Sequence, residues 1–503
     1  VRIFLIQPAA LLRESNAESA RPFLALGLAS LAAILREAGH DVRLLDAYTE
    51  GWDHRGLMEE GVVEIGLPEE EIASQIRRFQ PQVVGFGVTF GAQLPRLVSL
   101  ARWVKAIHPE IFVVCGGNLP TAAPLEALNI PDVDAVLLGE GEVNFLRMIQ
   151  SFENGEGLEG CDGIAYRSRA GSPVIQPAAR QFAELDFLPI PAYDLLPMKK
   201  YFKIMGERFT PLIVSRGCDA DCATCSSRAI FGKKPRHFSS AYIVQQIEHL
   251  NESFGVRDFA LYDHSFLSRS ESTGRFLNLL IERNLGTRWM AHCCLSQDGF
   301  EGDFFAKIRR AGGLEINFDI GSGSRRVLMQ ILKRGLDLHG IEEVVLQALA
   351  NDLRVSARFL IGLPGETIEE IYETLNFAWK LRSRGVEGFD FEIAQPYTGT
   401  ALRDQAVALG CQIPADDAAL DPGRAVLQTA DFAPLDIQEI RDTAQREFSS
   451  RALVWDLTRR LGENLRLPKK VEERYFPSVA PLPKRLPARP APQMNRRVPL
   501  ESN

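Results

Sequence analysis

The sequence is poor in the features that mark secreted, fibrous or membrane-spanning chains. Its 503 residues include only eight cysteines, too few for a disulfide scaffold in a chain this long. The longest apolar stretch, Pro22 to Leu35, stops at Arg36, short of the roughly 18 to 20 residues that a spanning helix needs. With Gly27 and Ser30 inside it, this stretch reads as a buried helix. No secretory signal is read ahead of the first strand, so a reducing, cytoplasmic location is the expectation. Strong charge is also absent: a formal net charge of −8 gives no global attraction to nucleic acid or to an anionic membrane surface. Cys115, Cys161, Cys293, Cys294 and Cys411 lack ligand spacing and read as small core residues. These five cysteines therefore suggest no cluster of their own.

What remains is a tight triplet. Ser215-Arg216-Gly217-Cys218-Asp219-Ala220-Asp221-Cys222-Ala223-Thr224-Cys225-Ser226 is a Cys-x3-Cys-x2-Cys motif directly after the apolar run Pro211-Leu212-Ile213-Val214. Three thiolates this close at a strand end can hold three corners of an iron–sulfur cube and leave one iron open to an exogenous ligand. Structural zinc is the competing reading, but a closed zinc site takes four ligands. The fourth here would be His237, a dozen residues on.

Hydrophobic residues make up 46% of the chain, enough for two or three cores, and the length calls for several domains. Residues 1–150 alternate buried-strand runs (Arg2 to Ile6, Val42 to Leu45, Val83 to Val88, Ile111 to Val114, Ala135 to Leu138) with helical periodicity. This pattern predicts a doubly wound parallel sheet whose ligand lies beyond the carboxyl ends of its strands. Residues 151–209 read as a connector with a small hairpin at Ile164–Arg167 and Pro173–Ile175 and a proline-stiffened link at Asp186–Tyr193. From 210 to 400 the βα alternation resumes for about six units, a partial parallel barrel with its chemistry on the carboxyl rim. Cys218, Asp263, Ser322 and Gly362 fall on that rim. Residues 401–465 read as helical, from Ala401 to Leu409 and from Asp436 to Leu461. Residues 466–503 are rich in proline and basic residues and read as an extended tail. His264 and His292 lie near strand ends and read as structural.

The triplet and its context resemble the cluster motif of the radical S-adenosylmethionine (SAM) superfamily. Gly232, Arg236, Gly362-Leu363-Pro364-Gly365-Glu366-Thr367 and Pro396-Tyr397-Thr398-Gly399-Thr400 follow it in the family's order. The N-terminal set Leu26-Gly27-Leu28, Val84-Gly85-Phe86-Gly87, Gly116-Gly117-Asn118-Leu119-Pro120-Thr121 and Gly139-Glu140-Gly141-Glu142 is similar to the cobalamin-binding domain that precedes many such barrels. Residues 1–400 as a whole resemble cobalamin-dependent (class B) radical SAM enzymes. Leu45 to Trp52 and Ile65 to Ile72 resemble the branch that contains the C-methyltransferase of fosfomycin biosynthesis.

The resemblance implies one 4Fe-4S cluster on Cys218, Cys222 and Cys225, and SAM held near Thr224, Asp263, Asp319, Ser322 and Gly362. It places cobalamin against Thr89, Gly116, Gly117, Gly139, Glu140 and Gly141. The loop from Gln7 to Arg21 contains no histidine, and Asp46-Ala47-Tyr48-Thr49-Glu50-Gly51, which imitates the family's cobalt-ligating motif, offers tyrosine. Cobalamin without a protein histidine on cobalt is the expectation. Where relatives read Gly-Ile-Glu-Ser this chain reads Asp319-Ile320-Gly321-Ser322, and Asp319 can face the side of the missing glutamate or make a structural hydrogen bond.

The implied reaction uses two SAM molecules: one yields a 5′-deoxyadenosyl radical that abstracts hydrogen, and the other remethylates the cobalamin that gives its methyl to the substrate radical. It calls for a small-molecule substrate and an external electron donor such as flavodoxin or ferredoxin, and for no nucleic acid. The alternatives are a cobalamin-dependent radical ring contraction, cyclisation or oxidation, and a non-catalytic cobalamin and iron–sulfur binding module.

Overall fold

The computed structural model describes residues 1–449 apart from 19, 59–60, 90, 178–181, 264–270, 296–302, 336, 415–416, 418–419 and 421–422. The second half of the expected helix Asp436 to Leu461, and the proline-rich tail, lie outside the described residues.

Five parallel strands form the heart of the N-terminal sheet, in the order Asp41–Asp46, Arg2–Gln7, Val83–Gly87, Phe112–Gly116 and Ala135–Leu137. Numbered along the chain, this is the 2-1-3-4-5 order of doubly wound sheets, whose switch point lies between the first and third strands. The carboxyl ends that flank the switch point are Gln7 and Gly87. Both faces are buried. Ile3, Leu5 and Val114 pack on one side with helix Leu26–Glu37, and Phe4, Ile6 and Val113 pack on the other with Leu97 and Leu100. Apolar residues at successive positions of a strand are what two covered faces require. A small antiparallel sheet, Ala10–Arg13, Val62–Ile65 and Arg55–Leu57, sits beside this layer.

The stretch expected to be a connector is structural. Ile164–Arg167 pairs antiparallel with Ala135–Leu137, and Pro173–Gln176 pairs with it in turn, so the hairpin adds two strands to the sheet. The proline-stiffened link is packed down rather than loose: Tyr193 is fully buried, its hydroxyl accepts from Gln246 at 2.6 Å, and Ala192 N–H donates to Ala29 O at 3.0 Å. A single core continues from the N-terminal sheet through Leu188 and Tyr193 into the barrel.

The barrel is a six-stranded, wholly parallel sheet in sequence order: Phe209–Leu212, Asp258–Tyr262, Arg288–Cys294, Gly313–Gly321, Arg354–Ile361 and Gly388–Ile393. Its last strand is closed off by helix Pro434–Ser449. Gln445 accepts from Phe391 N–H and donates to Phe389 O, both at 3.1 Å, and Phe448 packs on Trp379, Phe389 and Phe391. The helix thereby covers an edge whose amides would otherwise be open to pairing. Residues 401–408 are helical as expected.

The carboxyl edges of the two sheets meet. Gly399, after the last barrel strand, packs on Ala122, and Asp417 packs on Gly91. Arg216, after the first barrel strand, reaches Glu140 and Glu142.

Candidate active site

The cysteine loop opens from the two-residue strand Ser215–Arg216, which pairs with Arg236–His237. Cys218 N–H donates to Gly232 O at 3.3 Å, Cys225 N–H to Cys222 O at 3.3 Å, and Ser227 N–H to Cys225 Sγ at 3.4 Å. The middle of the loop is strapped on both sides: Ala223 N–H donates to Leu332 O at 3.2 Å, and Ala223 O accepts from Leu402 N–H at 2.8 Å. Burial pushes the thiols of Cys218 and Cys225 up from their ordinary value, and the neighbouring Cys222 adds to the rise in each.

Among the described residues no three His, Cys, Asp or Glu side chains converge on a single metal ion. A cubane takes each thiolate on a different iron and needs no such convergence. Three half-buried thiols on one strapped loop, with His237 drawn into the Arg236–His237 strand, fit the cluster.

The barrel interior is polar. On the last four strands half-buried positions alternate with buried ones: Met290, His292 and Cys294; Asn317 and Asp319; Ser356, Arg358 and Leu360; Glu392. The pairing register sets Cys294 beside Asp319 and Asp319 beside Arg358. Asp319 accepts from Arg334 through both oxygens, at 2.8 and 3.1 Å, and lies 3.5 Å from Arg358, which also bonds Glu392 at 3.1 Å. Tyr262 stacks on His292 at 4.8 Å, and burial, with Arg358 adding, lowers the His292 pKa, leaving the ring neutral at neutral pH. Parallel barrels normally fill their centre with branched apolar side chains; this lumen is built to contact something polar.

Gly321 explains why the chain has no side chain there. Its φ is +88°, the ladder slips between Asp319 and Gly321, and a Cβ would stand 3.0 Å from Arg334 Nη1. The missing side chain and the Asp319 carboxylate therefore address the same guanidinium.

At the N-terminal edge, Gly117 has φ +119° and sits so close to Val88 O that a Cβ cannot be placed. Thr89 N–H donates to Gln93 at 2.8 Å, and Gly139 N–H to Thr121 Oγ1 at 3.0 Å. At the switch point Gln7 is 3% exposed, and its Nε2 has no acceptor among the described residues. A narrow glycine cradle and an orphaned donor at the crevice fit a large polar ligand such as cobalamin.

The sequence-assigned residues fall into two groups. Cys218, Cys222, Cys225 and Thr224 share the loop, and Asp263, 4% exposed, accepts from Ser215 Oγ at 2.6 Å beside it. Thr89, Gly116, Gly117, Gly139 and Gly141 lie along the N-terminal carboxyl edge. Other side chains are already engaged. The Glu140 carboxylate is held by Arg216 and Arg236, so it ties two domains together instead of facing the cradle. Ser322 is fully buried, with its hydroxyl against Thr374 and Ser324 N–H. Gly362 N–H donates to Glu366 at 2.8 Å. Tyr48 turns its hydroxyl to Arg21 O at 3.2 Å and Asp46 caps Thr49, so the imitation of the cobalt-ligating motif is a turn closed on itself.

Sequence reading gave no role to Arg216, Arg334, Arg358 or Gln7, and read His292 as structural without its partner Tyr262. Polar residues at every second position of strands that otherwise read as doubly buried were the available signal for His292, Arg358 and Glu392.

Two family models match the chain: the B12 binding domain over residues 16–148 and the radical SAM superfamily over residues 212–378. An uncharacterized methyltransferase of Pyrococcus horikoshii is 32% identical over 385 residues, covering 76% of this chain and 78% of that protein. The cytidylyl-2-hydroxyethylphosphonate methyltransferase of Streptomyces wedmorensis is 26% identical over 446 residues, covering 81% and 82%. The fold is shared with the radical SAM methyltransferase TsrM of Kitasatospora setae (TM-score 0.66, 16% identity, 85% of this chain and 80% of that one). It is shared equally with the cobalamin-dependent SAM radical enzyme OxsB (TM-score 0.68, 15% identity, 94% and 72%). With a B12-binding sheet set edge to edge against a radical SAM barrel, and a relative that matches across both, the chain is an enzyme of the cobalamin-dependent radical SAM family.

Proposed function

We propose that the enzyme transfers a methyl group from cobalamin to a carbon of a small-molecule substrate. The observation that carries this reading is the Arg216–Glu142 ion pair, 2.5 Å long, which ties the strand entering the cysteine loop to the helix that follows the Gly139–Gly141 loop. The pair sets the cysteine loop beside the Gly139–Gly141 loop, which supports two cofactor sites that face each other. Cys218, Cys222 and Cys225 would hold the 4Fe-4S cluster, the polar lumen beside it would hold SAM, and the cradle from Thr89 to Gly141 would hold cobalamin. When bound, these groups supply radical generation and the methyl group. The chain itself positions them and keeps competing reactions out.

His40 lies near the amino terminus, His108 caps a helix at the opposite end, and His54 is exposed in the segment after strand Asp41–Asp46. The loop from Gln7 to Arg21, which carries no histidine, supports cobalt without a protein histidine. The electron comes from a small external redox protein of the flavodoxin or ferredoxin kind, and no nucleic acid takes part. No helix of the described residues is long and apolar enough to cross a membrane.

The test is an anaerobic reaction with methyl-labelled SAM and candidate intermediates, read by product mass. A product heavier by one labelled methyl, formed together with 5′-deoxyadenosine, is the expected result. Substrate consumed with 5′-deoxyadenosine but without methyl gain would overturn methyl transfer in favour of cyclisation, ring contraction or oxidation.

A further inference from the structure

Behind the cysteine loop the chain does something costly. After strand Gly313–Gly321 it enters a π-helical turn, Val327–Ile331, and then places Lys333 at φ +56°. Single π-turns are frequent at functional sites. A non-glycine residue in the left-handed region costs about 1–2 kcal/mol and persists only where the surroundings enforce it. The product of these two irregularities is the position of Arg334. Its N–H donates to Leu328 O at 2.7 Å, and its guanidinium turns back under the lumen, where Nη1 donates to Asp319 O at 2.9 Å and both Nη atoms grip the Asp319 carboxylate. Gly321 leaves the room for it.

Two further observations aim this cation at the cysteine loop. Leu332, two residues before Arg334, is the residue whose carbonyl receives Ala223 N–H, between Cys222 and Cys225. Arg334 is also within electrostatic reach of Cys222 and Cys225. Its side chain is only 10% exposed, and its Nε–H has no acceptor among the described residues. An unsatisfied buried donor costs about 1–3 kcal/mol, so a retained one points to an acceptor that the protein alone does not contain.

We propose that Arg334, held by Asp319, is a positioning residue that tunes the reduction potential of the iron–sulfur cluster, its Nε–H donating to a sulfur at the cluster. The inference rests on the reading of Cys218, Cys222 and Cys225 as cluster ligands. The step it governs is the transfer of one electron from an external one-electron donor to the oxidised cluster, with no bond made or broken. Reduction adds negative charge beside a buried cation, so the guanidinium stabilises the reduced form and raises the midpoint. Net charge and hydrogen bonds to the sulfurs are the levers by which proteins move such potentials. Asp319 works in the opposite sense: its carboxylate offsets part of the cation, and removing it must ease reduction.

The experiment is an anaerobic EPR redox titration of reconstituted wild type, Arg334→Met, Arg334→Lys and Asp319→Asn, with iron and sulfide counted in each. Arg334→Met is expected to make reduction at least tenfold less favourable at a given potential, a fall of about 59 mV for a one-electron couple. Arg334→Lys, which keeps the charge but not the Nε–H, is expected to fall between it and wild type. Asp319→Asn is expected to move the midpoint upward, and opposite signs for the two sites are an outcome that a merely structural role does not produce. Equal midpoints in variants with full cluster content overturn the proposal, as do shifts of the same sign. Should Arg334→Met fail to fold, the upward shift in Asp319→Asn and the intermediate value in Arg334→Lys carry the test. A wild type that binds no iron overturns the cluster reading itself, which is a distinct result.

Discussion

Arg216 donates to Glu142 at 2.5 Å with the two side chains only 9% and 6% exposed, and it bonds Glu140 at 3.1 Å as well. Arg236, from the strand paired with Arg216, closes the group by gripping Glu140 from the other side. Two carboxylates at the start of helix Gly141–Glu153 and two guanidiniums of the strand pair around the cysteine loop thus form one buried cluster of charge. Buried charges of this kind are tolerable only when each is paired, and removing one partner strands the other.

Arg216→Met is expected to destabilise the protein by about 3–5 kcal/mol, since it leaves Glu142 buried without its cation. The check is denaturant unfolding of the wild type and the variant. The double variant Arg216→Met with Glu142→Gln is expected to recover part of that loss, and full additivity of the two changes would contradict the pairing.

Stability should depend on pH through two buried carboxylates of opposite sense. Burial works against the charge of Glu142, but the Arg216 guanidinium outweighs it and holds the carboxyl below the usual range. Its contribution is present above the ordinary carboxylate pKa and lost as pH falls through the lowered one. Glu366 is the reverse case: burial, only partly offset by the Leu363 and Gly362 amides, pushes it from 4.5 up to about 8. The folded state then binds more protons than the unfolded chain between those values, so its contribution is full below about pH 4.5 and is lost as pH rises towards 8. Glu366→Gln keeps an acceptor for the two amides and is expected to flatten the fall in melting temperature between about pH 4.5 and 8. An unchanged slope over that range would show that Glu366 is ionised in the native protein.

Gly321→Ala is expected to cost about 1–3 kcal/mol, the range for a side chain forced into the left-handed region, and to displace Arg334 from Asp319. Restoring a glutamate at this position is expected to do worse, because the Arg334 guanidinium already occupies its place. Thermal unfolding of both variants checks the order.

The order of elements was legible in the sequence because doubly buried strands and amphipathic helices leave different periodicities: the strands around Ile3, Val84 and Val114, and the helix from Leu26, stand where those patterns put them. The hairpin at Ile164 was legible as a hairpin but not as part of the sheet, since nothing local says which edge it will pair with. The cysteine loop carries its chemistry in its spacing. Its partners do not, because Arg334 reaches Asp319 only through a π-turn and a left-handed lysine, and neither has a periodic signature. Gly139-Glu140-Gly141-Glu142 shows the same limit from the other side. The motif was visible, but the engagement of Glu140 with Arg216 and Arg236 depends on a domain contact made across the fold.

Replacing Cys218, Cys222 and Cys225 together by alanine is expected to abolish iron and sulfide binding while sparing cobalamin, because the cradle from Thr89 to Gly141 belongs to a separate sheet. Metal analysis and the visible spectrum of the bound corrinoid report the two cofactors separately. Loss of both would mean that the cluster is needed to build the cradle.

The most direct measurement of the shared space between the two sheet edges is EPR of the anaerobically reduced holoenzyme, with the cluster and the cobalt both paramagnetic. The expected result is mutual spin–spin broadening of the two signals, with the cobalt signal returning to that of isolated cob(II)alamin when the three cysteines are replaced, and with no splitting from a histidine nitrogen. Two sharp signals that superimpose on those of the separate cofactors would contradict a common cavity, and with it the placement of methyl donor and radical source at one substrate.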